Sequence, residues 1–420
     1  MDGGQKLNVN IFKLIFGVIL SFFFIYGLIF NITPINTSKI VIIYLLLINI
    51  PNFTDLFSFI KDPLSRQYLI ANIFLGIFYC FISVVKHNYE FTLGYDFFLN
   101  DFEFFFGSYL LVYYLLTLYK RLDIILLVIS ITIFIQACFI LWSFNSAAFV
   151  AYTNKLLPTA GNIDYDVSFR ARGFSNSTGS ALSITQAIGV FFSLLCLNRF
   201  KKRYIRAFLY ISLAVNALSA ILVGRTGILF SAIVIIAYLL LTATSVKKIL
   251  SYVIFFTMVV VVIYFGFSYL NNDARSKLTN DVLPWANESF ESNNSGTVDA
   301  LKNMYILPSD ISTLLIGDGA FVSENGKTNY VDADPGYIRL IFAVGLIGSL
   351  IFYYMEYKIL KKTIFYANNL IEKRLLIVLA LLMFFIESKE PFFLKPNIIK
   401  PVFVLYFLYG FNRIRLKTAT

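Results

Sequence analysis

Apolar residues in this chain come in long, nearly unbroken runs rather than at amphipathic spacing. Leu14–Phe30, Ala207–Val223, Ile249–Phe267 and Leu375–Ile386 are examples. Water gives such runs nothing to bury against, whereas a hydrocarbon layer about 30 Å thick accepts roughly 20 apolar residues as one helix. The pattern predicts spans over 11–30, 39–51, 68–85, 103–119, 122–142, 180–197, 207–223, 226–243, 249–267, 336–355, 373–387 and 398–411. The second and last are short, so they are expected to tilt or to extend by a few polar residues. The whole chain, 1–420, is therefore expected to be one all-α integral membrane domain, a polytopic bundle of about twelve helices.

Basic residues then orient the bundle. With the N-terminus inside, Lys6 and Lys13, Lys61 and Arg66, and Lys120 and Arg121 fall at cytoplasmic ends. So do Arg199 to Arg206, Lys247 and Lys248, Lys358 to Arg374, and the tail's Arg413, Arg415 and Lys417. The opposite short connections are poorer in Lys and Arg, and 86–103 is acidic (Glu90, Asp96, Asp101, Glu103). This alternation predicts both termini in the cytoplasm. Leu14–Phe30 is too long for a signal-peptide core and lacks a small-residue cleavage site, so it is read as a span. Two outer connections are long, 143–178 and 268–335, and loops of that length are functional or disordered. Within the second, Asn271–Gly296 is polar. Thr297–Ile316 is partly apolar and reads as a short surface helix broken at Pro308.

Composition narrows the field. The chain is 58% apolar and 14% charged, against about half and a quarter in soluble domains. The net charge of +11 would suit nucleic acid, but its basic residues collect at alternate helix ends, so no nucleic-acid partner is expected. Cys80, Cys138 and Cys196 stand apart inside apolar runs, which suggests buried thiols rather than a disulfide or thiolate site. His87 is the only histidine, which removes a His-cluster metal site. No phosphate-binding G-x-x-x-x-G-K-[ST] is present, so ATP-driven pumping is not expected. Acidic residues are few at mid-span, where proton-coupled transporters keep them.

Four arginines on the outer side are candidate ligands: Arg170 and Arg172 in "RARGFSNSTGSA", Arg225 in "LVGRTGIL" and Arg339 in "DPGYIRLIFAVGLIG". An arginine at spanning depth costs about 2.5–3.5 kcal/mol on insertion scales, so it is expected to face a polar cavity and a partner. Either these residues snorkel to headgroups and pair structurally, or they converge on an anion. A guanidinium suits the second role, since its planar fork holds two phosphate oxygens and stays charged. Gly173, Gly224 and Gly227 beside them would let backbone N–H groups approach the same anion. Asp332 and Asp334 precede Pro335-Gly336 where the large loop re-enters the membrane, and Asp164 and Asp166 repeat that spacing. In extended chain, residues two apart share a side. Each pair is equally what a solvated turn asks for. D-x-D spacing also occurs in metal-dependent glycosyltransferases, but no soluble nucleotide-binding domain accompanies it here.

Over roughly 140–355 the chain resembles the O-antigen polymerases (the Wzy family) and, more distantly, the O-antigen ligases. The resemblance rests on "R-x-R-G" ahead of a span, "GRTG" at the outer end of another, and a large loop running through "LLIGDGAF" to "DADPGYIRLIFAVGLIG". Ligases carry a His nine residues and one small polar position ahead of G-x-x-G. Here Gly345 and Gly348 keep the register, but the His position is Asp334 and the next is Pro335.

The resemblance implies a GT-C-like bundle with two long periplasmic loops in a bacterial inner membrane. Its implied partners are an undecaprenyl-diphosphate-linked oligosaccharide, membrane lipid and a chain-length regulator, and it implies no cofactor and no metal. A sugar hydroxyl on one lipid-linked unit would attack the anomeric carbon of another, and the lipid diphosphate would leave. Arg170, Arg172, Arg225 and Arg339 are the candidates for stabilising that diphosphate. Asp334, and after it Asp332, are candidates for the base. The abundant aromatic residues, 18%, suit either sugar stacking or lipid contact. Two other readings stay open: an O-antigen ligase, and a lipid-linked oligosaccharide flippase or other transporter, which should show two related halves.

Overall fold

The computed structural model describes residues 10–50, 58–158, 171–243, 270–282, 284, 303–323, 329–331, 333–367 and 369–418. Among these, regular structure is helical, with two isolated bridges, Phe30–Thr33 and Val322–Asn329, in place of strands. In chain order the helices are α1 (Ile11–Tyr26), α2 (Thr37–Ile48), α3 (Pro63–Val85), α4 (Thr92–Tyr119) and α5 (Leu122–Asn145). They continue with α6 (Ala147–Leu156), α7 (Gly179–Arg199), α8 (Arg203–Val223), α9 (Arg225–Thr242) and α10 (Asn272–Lys277). Last come α11 (Ile311–Ile316), α12 (Gly336–Tyr366), α13 (Leu370–Glu387) and α14 (Pro396–Thr418). Among the described residues seven, α3, α4, α5, α7, α8, α9 and α12, are long and apolar enough to cross a membrane. The chain is an all-α protein of membrane character.

Contacts between connections sort the helix ends into two groups. At one end Asn31 N–H donates to Leu156 O (2.9 Å), Asn176 pairs with the backbone of Ile29, and Asn397 donates to Ser177 (2.7 Å). At the other end, Lys362 and the Tyr406 hydroxyl both reach Asp62, and Arg199 meets Glu372 (2.5 Å) beneath Tyr409. Successive long helices therefore run up and down. The centre is α7, whose apolar window is 89% buried. It touches α5, α8 and α9 through small polar residues. Ser193 lies 3.1 Å from Ser130 and 3.0 Å from Ser212, and Gln186 meets Tyr26 and Ser219 (3.3 Å each). Such side chains let backbones approach and satisfy one another where lipid offers no partner.

Several expected boundaries move. The first span stops at Tyr26 because Gly27 adopts φ 50, a left-handed cap. The second is only 12 residues, about 18 Å at 1.5 Å per residue, well short of the hydrocarbon layer. The fourth begins at Thr92, not near 103, so most of the acidic stretch that reads as a loop is helix, partly π-helical over Asn100–Phe106. Mid-bundle acidic residues are correspondingly more numerous than the sequence suggested: Asp101, Glu103 and Glu356 are all buried. The span expected at 249–267 lies outside the described residues.

The α4 acid stretch can be helical because Glu103 has a cation waiting. Lys400 on α14 sits 3.0 Å from its carboxylate, and both side chains are buried. The ammonium also donates to Phe24 O (3.1 Å) and lies over the rings of Phe24 and Phe104 at 5.0 and 5.1 Å. Ser38 donates to the same carboxylate oxygen, so α1, α2, α4 and α14 meet at one charge pair. Removing one member of a buried pair strands the other, at about 3–5 kcal/mol. Lys400→Met should therefore lower the thermal unfolding midpoint of the detergent-solubilised protein sharply. Glu103→Gln combined with Lys400→Met should recover most of that loss; a double variant as unstable as the single would show that packing, not charge, is responsible.

Candidate functional site

The short connection from α13 to α14, residues 388–395, organises one end of the bundle. Glu387, fully buried, accepts the Phe393 N–H (3.1 Å) and the Tyr353 hydroxyl (3.0 Å). Its carboxylate fixes the loop against α12. Gly336, the first residue of α12, approaches so closely that a Cβ would lie 2.5 Å from Glu387 Oε1 and 2.7 Å from Pro391 Cα. The Pro-Gly pair is thus a helix start rather than a solvated turn: Pro335 is the N-cap, and Gly336 is required by space.

The same loop gathers charge. Lys389 donates to the Thr226 hydroxyl (2.8 Å), next to Arg225 at the head of α9. Glu390 accepts from Ser180 at the head of α7. Arg339, one turn into α12, lies within electrostatic reach of Asp334, Glu390 and Glu387, and its guanidinium covers the Phe321 ring at 4.0 Å. Its Nε has no hydrogen-bond partner. Asp334 is exposed at the α12 N-terminus, 3.4 Å from the Asn329 amide. Tyr305 ties the large loop to this place by donating to Ser388 O (2.7 Å). Arg339 and Asp334 are brought together, and the 388–395 connection touches both the start of α12 and Thr226, the neighbour of Arg225.

Arg172 is placed elsewhere. Its buried guanidinium donates to the carbonyls of Thr153 (3.3 Å), Leu157 (3.4 Å) and Pro158 (3.0 Å), the unsatisfied end of α6. That is a C-cap: it satisfies the Leu157 and Pro158 carbonyls and adds a second donor to Thr153 O, which already accepts the Leu157 N–H (2.8 Å). Arg170, Asp332, Asp164 and Asp166 lie outside the described residues. The glycines are not open cradles for an anion either. Gly227 N–H donates to Ser183 Oγ (2.9 Å), and a Cβ there would lie 2.5 Å from Ser183 O. Gly224 N–H bonds Ala220 O (3.0 Å), and Gly173 N–H bonds Ser143 Oγ (3.2 Å). The "GRTG" sequence is a tight helix-to-helix break seated on α7.

The floor beneath Arg339 comes from a break in α12. Gly345 takes φ 70, outside helical geometry, because the backbone of Leu315 and Ile316 occupies the space of a side chain. The carbonyls freed there accept from the loop: Asp318 N–H to Phe342 O (2.7 Å) and Gly319 N–H to Ala343 O (3.0 Å). The described end of the segment expected as a surface helix therefore plugs the break, with α11 only six residues long. Glu90 then accepts the Phe321 N–H (3.0 Å), seating the ring under Arg339.

Sequence reasoning missed Glu387, Lys389 and Glu390. Their signal was two lysines and two glutamates in Glu387–Lys395, a dense charge cluster between two apolar runs. Comparison with protein families, with characterised proteins and with solved structures finds no match for this chain. Chemically, the neighbourhood offers cations able to hold an anionic group and carboxylates able to accept a proton.

The contrast between the arginines is testable. Hydrogen bonds from a charged donor are worth about 1.5–3 kcal/mol, so Arg172→Gln should lower thermal stability measurably. Arg339→Ala, which removes an Nε without a hydrogen-bond partner, should change it far less. Equal losses in both would make Arg339 structural as well.

Proposed function

We propose that this chain is a polysaccharide polymerase of the bacterial inner membrane, joining undecaprenyl-diphosphate-linked oligosaccharide units at the periplasmic face. The observation that supports it is the 388–395 connection, where Lys389 bonds Thr226 next to Arg225 and Glu390, with Asp334, lies within electrostatic reach of Arg339. In this reading eleven described helical stretches, α1 to α5, α7 to α9 and α12 to α14, cross in alternating directions, with the short α2 in a locally thinned part of the layer. The apolar run 249–267, read from sequence, makes a twelfth crossing, with both termini cytoplasmic and the long loops periplasmic in a GT-C-like bundle.

In this reading an acceptor sugar hydroxyl attacks the anomeric carbon of the donor. The bond from that carbon to the diphosphate oxygen breaks, and the bonding electrons leave with the lipid diphosphate. Arg339 and Arg225, with Lys389, stabilise the leaving charge. Fixed cations in a water-poor site do this more strongly than solvent does. Asp334, exposed at the mouth, takes the hydroxyl proton. Arg172 supports the first loop from behind, and Arg170 and Asp332 remain sequence-based candidates for the same two roles. No cofactor is assigned, and a chain-length regulator is the expected protein partner.

A second reading, a lipid-linked oligosaccharide transporter, is favoured by one specific observation: the buried carboxyl residues Asp101 and Glu356. It would bind the same lipid without consuming it.

In cells, Arg225→Ala and Arg339→Ala should each abolish long polymer on surface-polysaccharide gels while single-unit-capped lipopolysaccharide and membrane protein levels persist. Normal polymer length in either variant would remove that arginine from the chemistry. For the proposed base, Asp334→Asn should cut polymer formation about 100-fold or more, the usual range for a lost general base; full activity would leave Asp334 a structural helix-end residue.

A further inference from the structure

Away from the charged mouth, α3, α4 and α12 enclose a second polar site that the proposed reaction does not use. Asp101 and Asn100 lie in the π-helical part of α4, Asn72 and Tyr68 on α3, and Glu356 on α12. Asn100 and Glu356 are fully buried, and Asp101 is 7% exposed. Asn72 donates to Asp101 Oδ1 (2.9 Å), and the Tyr68 hydroxyl donates to Glu356 Oε1 (2.8 Å). The remaining oxygens, Asp101 Oδ2 and Glu356 Oε2, have no hydrogen-bond partner, and neither do both amide atoms of Asn100. The two carboxyl groups are within electrostatic reach of one another, and Tyr68 is within reach of both.

The charged surroundings make this arrangement informative. The charged side chain acting on Asp101 is Glu356, and the one acting on Glu356 is Glu387, with Tyr353 also nearby. All of these are acidic or neutral. Lys400, Arg199 and Lys362 are paired with Glu103, Glu372 and Asp62, and Lys395 and Arg339 lie within electrostatic reach of Glu387. Two carboxylates in one apolar enclosure repel each other and lose hydration, so they require a compensating positive charge. Asn100 and Asp101 sit in a π-helical turn, a rare geometry that recurs at functional sites. Asn100, next to Asp101 in this turn, is fully buried with its amide oxygen unpaired.

We propose that Asp101, Glu356 and Asn100 form an internal site for one monovalent cation, a proton or a sodium ion. The cation is held between Asp101 Oδ2 and Glu356 Oε2, with Asn72 and Tyr68 fixing the other carboxyl oxygens. Occupancy ties α4 to α12, and hence to the helix that carries Arg339. The site stands apart from the polymerase reading, since it needs neither the saccharide nor the outer loops.

The test uses the full chain in lipid nanodiscs. Thermal unfolding is followed as sodium chloride replaces choline chloride at constant ionic strength, and infrared spectra are taken at neutral pH for the protonated-carboxyl C=O band. A midpoint that rises with sodium in the wild type and becomes flat in Glu356→Gln and Asp101→Asn assigns sodium. A flat sodium response, with a carboxyl band lost in either variant, assigns a proton. If one variant fails to fold, the other decides. A wild-type protein without sodium response, whose carboxyl band is absent or unchanged in the folded variant, overturns the proposal. Polymer formation enters neither readout, so failure here leaves the polymerase reading untouched.

Discussion

The buried carboxylate of Glu387 is the constraint on which one end of this bundle depends. A charge-bearing group enclosed by helices must be satisfied by the protein itself, since the surrounding phase offers no hydrogen bonds. Glu387 meets that requirement with the Phe393 N–H and the Tyr353 hydroxyl. In doing so it sets where α13 ends, how the 388–395 connection folds, and why α12 can begin only with glycine. Lys389, Glu390 and Arg339 are placed as a consequence. The mixed charge at the mouth is therefore attached to a rigid anchor rather than to a free loop.

Breaks in helices recur wherever the structure brings polar groups together. Gly345 interrupts α12, and the exposed carbonyls are repaid by Asp318 and Gly319 N–H groups. Gly224 separates α8 from α9, and Ser183 fills the gap, accepting from Gly227 N–H while donating to Gly224 O at 2.6 Å. The π-helical stretch in α4 turns Asp101 and Glu103 inward together. Each interruption is tolerated because a neighbouring segment takes up the freed backbone groups, the general condition for irregular backbone inside a membrane bundle.

Much of the architecture was legible in the sequence. Uninterrupted apolar runs located α5, α7, α8 and α9 to within a few residues, because hydrocarbon burial leaves a pattern that needs no long-range information. Positive charge on the unfavoured side singled out Arg225 and Arg339, and both lie beside the 388–395 connection. What failed was anything decided by a distant partner. The residues from Thr92 to Phe102 read as a loop because the charges around them need partners far off in sequence: Lys400, which meets Glu103, is 297 positions away. Arg172 read as an anion ligand because α6, whose carbonyls it caps, fell inside a segment taken to be irregular. Gly345 read as one member of a spacing motif, whereas its conformation answers to the backbone at Leu315. Lys389 and Glu390 went unnoticed because eight residues between two spans look like a plain connection.

The polymerase account turns on whether the charged mouth does chemistry or only holds its ligand. Purified protein in nanodiscs, incubated with undecaprenyl-diphosphate-linked repeat units and no nucleotide, separates the two. The account requires saccharides of two or more units to accumulate, with one lipid diphosphate released per linkage formed. Bound or translocated donor recovered intact, with no saccharide longer than the starting unit, would contradict it.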